Sequence, residues 1–282
     1  DLFFDDGGLT SDQIISTNQN ATQIGTASIT ADVEAAGTIS LNNHTGTATE
    51  GVTQRTMPNI NNVFEEYLFH ALNYGTWLSI DDIPSVQGKK ALNEEVLSPA
   101  NNPYGAGMTS PEGIYLVECY SEYISVSSMR IVGTLVLLDP GPGSTIDSPI
   151  NWEPAVANYP ALMVMGNIAL NFNGTPLDEA TANTNFNPAG TPYPYPDGEW
   201  NVDIADTYPS VLKGLVYVYG NLNVTNSPNI EGVVIVDGTF TSSADPGPNL
   251  TYRDTYLNNP PPGFGTGTTM KISSGSYKQV VD

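Results

Sequence analysis

The stretch "GLVYVYGNLNVTNSPNIEGVVIVDG", residues 214–238, contains two near-copies of one pattern. The copies are Gly-Leu-Val-Tyr-Val-Tyr-Gly at 214–220 and Gly-Val-Val-Ile-Val-Asp-Gly at 232–238, and they start 18 residues apart. Each is a run of β-branched and aromatic residues between glycines, which is typical of a buried strand bounded by turns. A shorter companion strand follows each copy, at 222–224 and at 239–241. The repeat therefore predicts a strand-turn unit that recurs along the chain.

A recurring unit of this size favours a β-solenoid. One strand, a glycine or asparagine corner, a second strand and a loop add up to roughly 18–25 residues, which is one coil. Equivalent strands of successive coils would stack in parallel ladders about 4.8 Å apart. We therefore predict an all-β fold, a single-stranded parallel β-helix with one short helix and long loops. A β-sandwich is the alternative, and its strands would be antiparallel with clearer alternation.

The rest of the chain extends this pattern. Apolar strand segments also occur at 114–117, 124–126, 129–132, 133–139, 161–166 and 168–172, and at 270–272 and 277–281 near the end. Residues 63–72 form one predicted helix, capped by Asn61 or Asn62 and ended by Gly75, which we expect to cover an open end of the stack. Residues 76–112, with four prolines, read as an irregular connection. We predict an N-terminal β/helix capping region at 1–112 and the parallel β-helix with loop insertions at 113–282, as one continuous domain.

Charge restricts the partners of the chain. Thirty acidic residues face eight basic ones, a net charge of −22, so nucleic acid and anionic membrane surfaces would repel the protein. No segment contains the ~18 consecutive apolar residues that a membrane span requires. The sequence begins at Asp1 without an initiator Met, so we expect a processed or trimmed product, with membrane attachment only through a segment preceding Asp1.

No group of residues points clearly to catalysis. Polysaccharide-acting enzymes use β-helix scaffolds, but the three arginines are scattered, and Asp81-Asp82 is the one internal acidic pair suited to a glycosidase. Cys119 lies in an apolar run, which favours a buried, inert thiol. We predict no catalytic and no cofactor-binding residues.

The long loops carry the candidate binding residues. Four acids fall within ten residues of one another, and carboxylates are the ligands that Ca²⁺ prefers, so calcium is the one cofactor considered: the candidates are Asp197, Glu199, Asp203 and Asp206. Tyr193, Tyr195 and Trp200 lie in the same loop, with Trp77 and Trp152 elsewhere. Exposed aromatic rings bind sugars or proteins, and the alternative is that these rings fold back over the side of the solenoid. We predict partner contacts through loops 139–160, 173–209 and 243–268.

From about Gly113 onward the chain resembles the β-helical head domains of bacterial pilin-like and cell-envelope surface proteins. The matching residues are "GIYLVECYSEYISVSSMRIVGTLVLLD" at 113–139, the stretch 214–238, Tyr252 and "YLNNPPPGF" at 256–264. The resemblance implies an extracellular or cell-surface protein that is structural or adhesive, with itself, other envelope or filament proteins, or surface glycans as partners. The alternatives from other classes are a polysaccharide-acting hydrolase or lyase and a carbohydrate-binding module.

Overall fold

A computed structural model describes residues 1–265, in which the protein is all-β with mainly parallel strand pairing. The predicted strands at 270–272 and 277–281 lie outside the described residues. The first fifty residues form nine short strands: β1 (Leu2–Asp5), β2 (Leu9–Ser11), β3 (Ile15–Thr17), β4 (Ala21–Ile24), β5 (Ile29–Thr30), β6 (Val33–Ala35), β7 (Ile39–Ser40), β8 (His44–Thr45) and β9 (Ala48–Glu50).

Helix α1 (Ile60–Tyr74) follows, and it starts earlier than the sequence suggested. The predicted cap, Asn61 or Asn62, is wrong: the side chain of Asn59 accepts hydrogen bonds from the backbone N–H groups of both, as an N-cap residue does. The predicted end is confirmed, because Gly75 takes a left-handed conformation with φ 68°.

Residues 76–112 are more ordered than predicted. They form β10 (Trp77–Ser79), a 3-10 helix (Ile80–Asp82), β11 (Ser85–Val86), β12 (Lys89–Asn93) and β13 (Val96–Leu97). The prediction of an irregular connection, which was based on the prolines, is therefore wrong for residues 77–97. Strands β10, β12 and β13 each pair in parallel with a later strand, and that long-range pairing is not visible in the local sequence.

Most of the remaining strands match predicted segments, but those at 145–147, 150–153, 177–178, 207–208 and 249–252 were not predicted. They lie within the predicted loops 139–160, 173–209 and 243–268, which are therefore partly strand. The remaining strands are β14 (Ile114–Glu118), β15 (Ile124–Ser127), β16 (Met129–Val132), β17 (Thr134–Leu138), β18 (Thr145–Asp147), β19 (Ile150–Glu153), β20 (Pro160–Met165), β21 (Ile168–Asn171), β22 (Leu177–Asp178), β23 (Thr207–Tyr208), β24 (Val211–Tyr219), β25 (Leu222–Val224), β26 (Asn229–Val236), β27 (Phe240–Ser242) and β28 (Asn249–Tyr252). Two short helices are α2 (Glu179–Ala182) and α3 (Thr255–Asn258).

The strands form three parallel rows, which we call sides A, B and C. Side A is a ten-stranded sheet in the order β11-β12-β15-β18-β21-β25-β27-β1-β4-β7, in which only β11 is antiparallel to its neighbour. Side B consists of β10, β14, β17, β20, residues 215–219 of β24 and residues 233–236 of β26. Side C consists of β13, β16, β19, the first residues of β24 and β26, then β28, β2, β5 and β8. A separate three-stranded sheet contains β3, β6 and β9.

Glycine allows β24 and β26 to pass from side C to side B. Gly214 has φ 136° and pairs in register with Gly232. A Cβ atom on Gly232 would lie 1.9 Å from the carbonyl oxygen of Gly214, so no side chain fits between the two stacked corners. This close approach explains why both copies of the repeat begin with glycine.

The N-terminal strands stack beyond the C-terminal ones. Strand β1 lies between β27 and β4 on side A, and β2 lies between β28 and β5 on side C. Phe4 is fully buried, with its ring centroid 6.5 Å from that of Phe240. The order of strands in space therefore differs from their order in the chain.

Helix α1 covers the outer face of side B and not an open end of the stack, which corrects the prediction. Val63, Phe64, Tyr67 and Ala71 are buried in one cluster with the outward side chains of β14, β17, β20 and β24. Leu72, near the end of the helix, is 65% exposed. Because the helix covers the outside of side B, both faces of residues 215–218 are buried, and their sequence is continuously apolar. None of the helices formed by residues 1–265 is both long enough and apolar enough to cross a membrane.

Candidate functional site

The long insertion at residues 173–209 forms a small substructure on side C. Strands β22 and β23 pair antiparallel at its base, with Leu177 opposite Tyr208. Leu177, Phe186 and Tyr208 are buried together with Val96 of β13 in a cluster separate from the main core. The insertion is therefore packed onto the sheet by its own apolar contacts.

Arg130 of β16 extends into the base of this insertion and is almost fully buried. Its Nη1 donates to the carbonyl oxygen of Phe186 at 2.8 Å, and its Nη2 donates to the carbonyl oxygens of Pro192 and Tyr193. The guanidinium also lies 5.1 Å from the centre of the Tyr208 ring. Burial lowers the pKa of Arg130, and the surrounding Tyr and acidic groups oppose that shift. One buried cation thus fixes the path of the chain between residues 186 and 193.

Glu179 is the buried anion of the same region. Its Oε1 accepts from the backbone N–H of Phe186 at 2.6 Å and from the hydroxyl of Tyr208 at 3.0 Å. Its Oε2 accepts from the backbone N–H of Asp206 at 3.0 Å. Burial first, and the charge of Glu179 second, raise the pKa of Tyr208 far above its usual range. The carboxylate therefore joins both ends of the insertion and keeps Tyr208 a hydrogen-bond donor.

The outer part of the insertion exposes large apolar side chains. We call Tyr193, Trp200, Val202 and Ile204 the apolar tip; they are 47%, 53%, 96% and 40% exposed. The indole Nε1 of Trp200 donates to the carbonyl oxygen of Thr191 at 2.7 Å. The hydroxyl of Tyr193 donates to the carbonyl oxygen of Ala155 at 3.2 Å. The side chain of Asn187 donates to the carbonyl oxygen of Glu199 at 2.7 Å, which holds the backbone beside Trp200. The tip thus presents apolar side chains on an internally bonded backbone.

The aromatic binding candidates divide into two groups. Tyr193 and Trp200 are exposed. Trp152 of β19 is a core residue and only 1% exposed. Its indole Nε1 donates a hydrogen bond to the carbonyl oxygen of Gly133, so the one polar group of the buried ring is satisfied. Trp77 is half-buried, and Tyr195 lies 4.9 Å from the ring of Tyr208.

The four calcium candidates lie around the tip. Asp197, Glu199 and Asp203 are exposed, whereas Asp206 is half-buried and accepts a hydrogen bond from Asn201 at 2.7 Å. The carboxylate of Asp203 accepts from the backbone N–H of Ala205. Within residues 1–265, no three or more His, Cys, Asp or Glu side chains are grouped closely enough to hold a metal ion. Calcium binding at these residues stays a prediction.

The Asp81–Asp82 pair and Cys119 were considered in the sequence as possible reactive groups, and the structure gives each a place in the fold. Asp81 and Asp82 lie in the 3-10 helix, where the carboxylate of Asp82 accepts from the backbone N–H of Ser79 in a capping box. Cys119 is fully buried in the core, as predicted, and burial is the main reason that its pKa rises to about 12.

Sequence reasoning missed Arg130 and Glu179. Arg130 interrupts the otherwise apolar segment Met-Arg-Ile-Val of β16, and a charged residue within a buried strand is the signal that could have identified it. Glu179 gave no such signal, because an acid in the first turn of a short helix is common on the surface.

No family model, curated protein or solved structure matches this chain.

Proposed function

We propose that this chain is a non-enzymatic extracellular surface protein, pilus-associated or part of a filament, which is structural or adhesive and presents loops from a rigid β-solenoid. In this proposal, sides A, B and C are the three sides of a single-stranded parallel β-helix. The parallel pairing, in which successive strands join the three rows in turn, supports it. A stiff scaffold holds its loops in fixed positions, which suits contact with large partners.

The apolar tip of the insertion is the observation that carries the proposal. Its four apolar side chains are exposed, while the base of the same insertion is fixed by two buried charged residues, Arg130 and Glu179. Four large apolar side chains exposed within residues 193–204 of one insertion favour an interaction site. A site held in place before contact loses little conformational entropy when it binds. The partner is a second copy, another envelope or filament protein, or a surface glycan.

The test compares binding by the unmodified chain and by the variant Trp200→Ala, Val202→Ser, Ile204→Ser. The assay measures how much fluorescently labelled protein is retained by envelope preparations, with immunogold micrographs of the native cells to locate the protein. Because the tip would form the centre of the contact, we expect the variant to lose binding by ~10-fold or more. The matched control, Phe69→Ser with Leu72→Ser, removes two exposed apolar side chains from helix α1 and should bind normally.

Two results would argue against the proposal. The first is equal retention of the tip variant and the unmodified chain, or labelling confined to the cytoplasm. The second is turnover of a polysaccharide, measured as new reducing ends or unsaturated products, that is abolished by Asp81→Ala or Asp82→Ala. Turnover of this kind would support the enzyme alternative.

A further inference from the structure

The apolar tip lies in an insertion that has no basic residue. Residues 173–209 contain six acidic residues and no Lys, Arg or His. The three acids nearest the tip in the sequence are exposed, and we call them the tip acids: Asp197, Glu199 and Asp203. Trp200, Val202 and Ile204 each have one of the tip acids as a direct neighbour in the chain. The tip therefore combines exposed apolar side chains with negative charge.

The tip acids have few partners within the described part of the chain. None of the ion pairs formed among residues 1–265 includes a tip acid. The one hydrogen bond that a tip-acid carboxylate accepts from these residues is donated by the backbone N–H of Ala205 to Asp203, at 3.3 Å. These carboxylates are therefore available to groups outside the insertion.

We propose that the partner of the apolar tip is a different protein, whose surface presents Lys or Arg side chains around an apolar pocket. The inference rests on the proposed function, in which the tip is the contact site, and it selects one of the partner classes given there. Lys and Arg fit both features of the tip, because their apolar stems pack on apolar groups while their charged ends reach carboxylates. Opposite charges across an interface also speed the encounter and fix its orientation.

A second copy offers no matching basic surface in the described part of the chain. Arg130 is buried, and three other basic residues already form ion pairs with acids of the same chain: Arg55, Lys213 and Arg253. Lys90 donates to the carbonyl oxygen of Ile83 at 2.9 Å. Lys89 lies 4.7 Å from the centre of the Tyr123 ring. The net charge of −22 also opposes the approach of two copies.

A surface glycan matches fewer features of the tip than a protein does. Neutral sugars carry no charge for the tip acids to attract, and acidic sugars would be repelled by them. Val202 and Ile204 are branched aliphatic side chains, which offer no flat ring for a sugar to stack on. Apolar contacts in the centre of an interface with charged groups around them are typical of protein–protein contacts.

The salt dependence of binding to envelope preparations tests the role of charge. Association of the labelled unmodified chain should slow by ~10-fold or more between about 0.05 M and about 0.5 M NaCl, because salt screens the attraction. The variant Asp197→Asn, Glu199→Gln, Asp203→Asn keeps the size of the side chains and the apolar tip. Its association in the low-salt buffer should be slower by a similar factor and nearly independent of salt.

The matched control for this variant is Asp5→Asn, Glu65→Gln, Glu66→Gln. It removes three exposed acids elsewhere on the molecule and lowers the net charge by the same amount. We expect it to associate within about 2-fold of the unmodified chain, with the same salt dependence, because only charges near the contact steer it strongly.

Chemical treatment of the envelope preparations tests the class of partner. Acetylation of lysine amines, together with modification of arginines by phenylglyoxal, should abolish retention of the unmodified chain. Periodate oxidation, which cleaves sugar rings, should leave retention unchanged. Retention should also be the same with and without EDTA, because the proposed contact is made by basic side chains and not through a bridging Ca²⁺ ion.

Four results would overturn the proposal: retention that ignores both salt and neutralisation of the tip acids, retention lost after periodate but not after modification of the bases, retention abolished by EDTA, and self-association by light scattering that Trp200→Ala, Val202→Ser, Ile204→Ser abolishes. In each case, weaker retention of that tip variant would still support the proposed function, so the two proposals can fail separately. Equal retention of the tip variant and the unmodified chain would overturn both.

Discussion

Arg130 is a buried cation whose hydrogen bonds go mainly to backbone carbonyl oxygens. Within residues 1–265 it forms no ion pair with a carboxylate, and Phe186, Pro192 and Tyr193 receive its N–H groups. Replacement by methionine would leave these carbonyl groups buried without a donor. We therefore expect Arg130→Met to lower the free energy of unfolding by about 3 kcal/mol, measured by urea denaturation.

The control for this prediction is Arg55→Met. Arg55 also forms a hydrogen-bonded ion pair, with Glu34 at 2.8 Å, but its side chain is 63% exposed. Exposed pairs contribute little, so we expect a change of about 0.5 kcal/mol or less. Equal effects of the two substitutions would contradict the view that the carbonyl contacts of Arg130 hold the insertion.

Cys119 provides a residue-level prediction with a defined pH dependence. Its pKa in the folded protein is about 12, above the ordinary value of about 8.5 for an exposed thiol, so only the unfolded chain ionises this thiol near pH 9. Ionisation of the unfolded state lowers stability as pH rises through that range. Between pH 8 and pH 9.5, the unmodified chain should lose about 1 kcal/mol more stability than Cys119→Ala does.

The same burial predicts slow thiol labelling. At pH 8, Ellman's reagent should react with the folded protein far more slowly than with the urea-unfolded protein. Rapid labelling under native conditions, or identical pH profiles of the unmodified chain and Cys119→Ala, would show that the thiol is not inert.

At the scale of elements, helix α1 offers two phenylalanines in opposite environments. Phe64 is 2% exposed and packs against Tyr217 on the outer face of side B, with ring centroids 5.8 Å apart, whereas Phe69 is 64% exposed. We expect Phe64→Ala to destabilise the protein by about 3–5 kcal/mol through the cavity it leaves. Phe69→Ala should change stability by about 0.5 kcal/mol or less, by thermal or urea unfolding. A reversal of this order would mean that the helix packs through its other face.

Strands with a strong apolar pattern were predictable from the sequence. Short strands that exist only because they pair with strands distant in the sequence were not. The segments around 114–138 and 211–236 were identified because β-branched residues between glycines rarely form anything but buried strands. Strands β11 and β13 contain two residues each, so the local sequence has no period to detect. The exposed aromatic residues of the tip were recognised as binding candidates, but the buried Arg130 and Glu179 that hold it were not, because each is defined by contacts with distant residues.

At the scale of the whole molecule, strands near the start of the chain pair with strands that come more than 200 residues later, within the same two sheets. The sequence predicted recurring strands, but not that β1 and β2 would pair with β27 and β28. Residues 1–50 and the strands around β27 and β28 have the same alternating pattern, so the pattern does not say which strands become neighbours. That order depends on which strand edges remain open after the first pairings form. Residues 51–59 must then run back along the stack to reach helix α1, and Val52, Gln54 and Arg55 hydrogen-bond along that path with the ends of β6 and β3.

This arrangement makes a prediction about coupling between residues that are far apart in the sequence. Phe4 is fully buried against Phe240, whereas its neighbour Phe3 points outward from the same strand and is half-buried. Phe4→Ala should lower the free energy of unfolding by about 3–5 kcal/mol. Because β1 pairs with both β27 and β4, hydrogen–deuterium exchange should become faster in both of those strands. Phe3→Ala is the matched control and should have a clearly smaller effect. Faster exchange in β4 alone would mean that residues 1–50 form a separate unit that does not depend on β27.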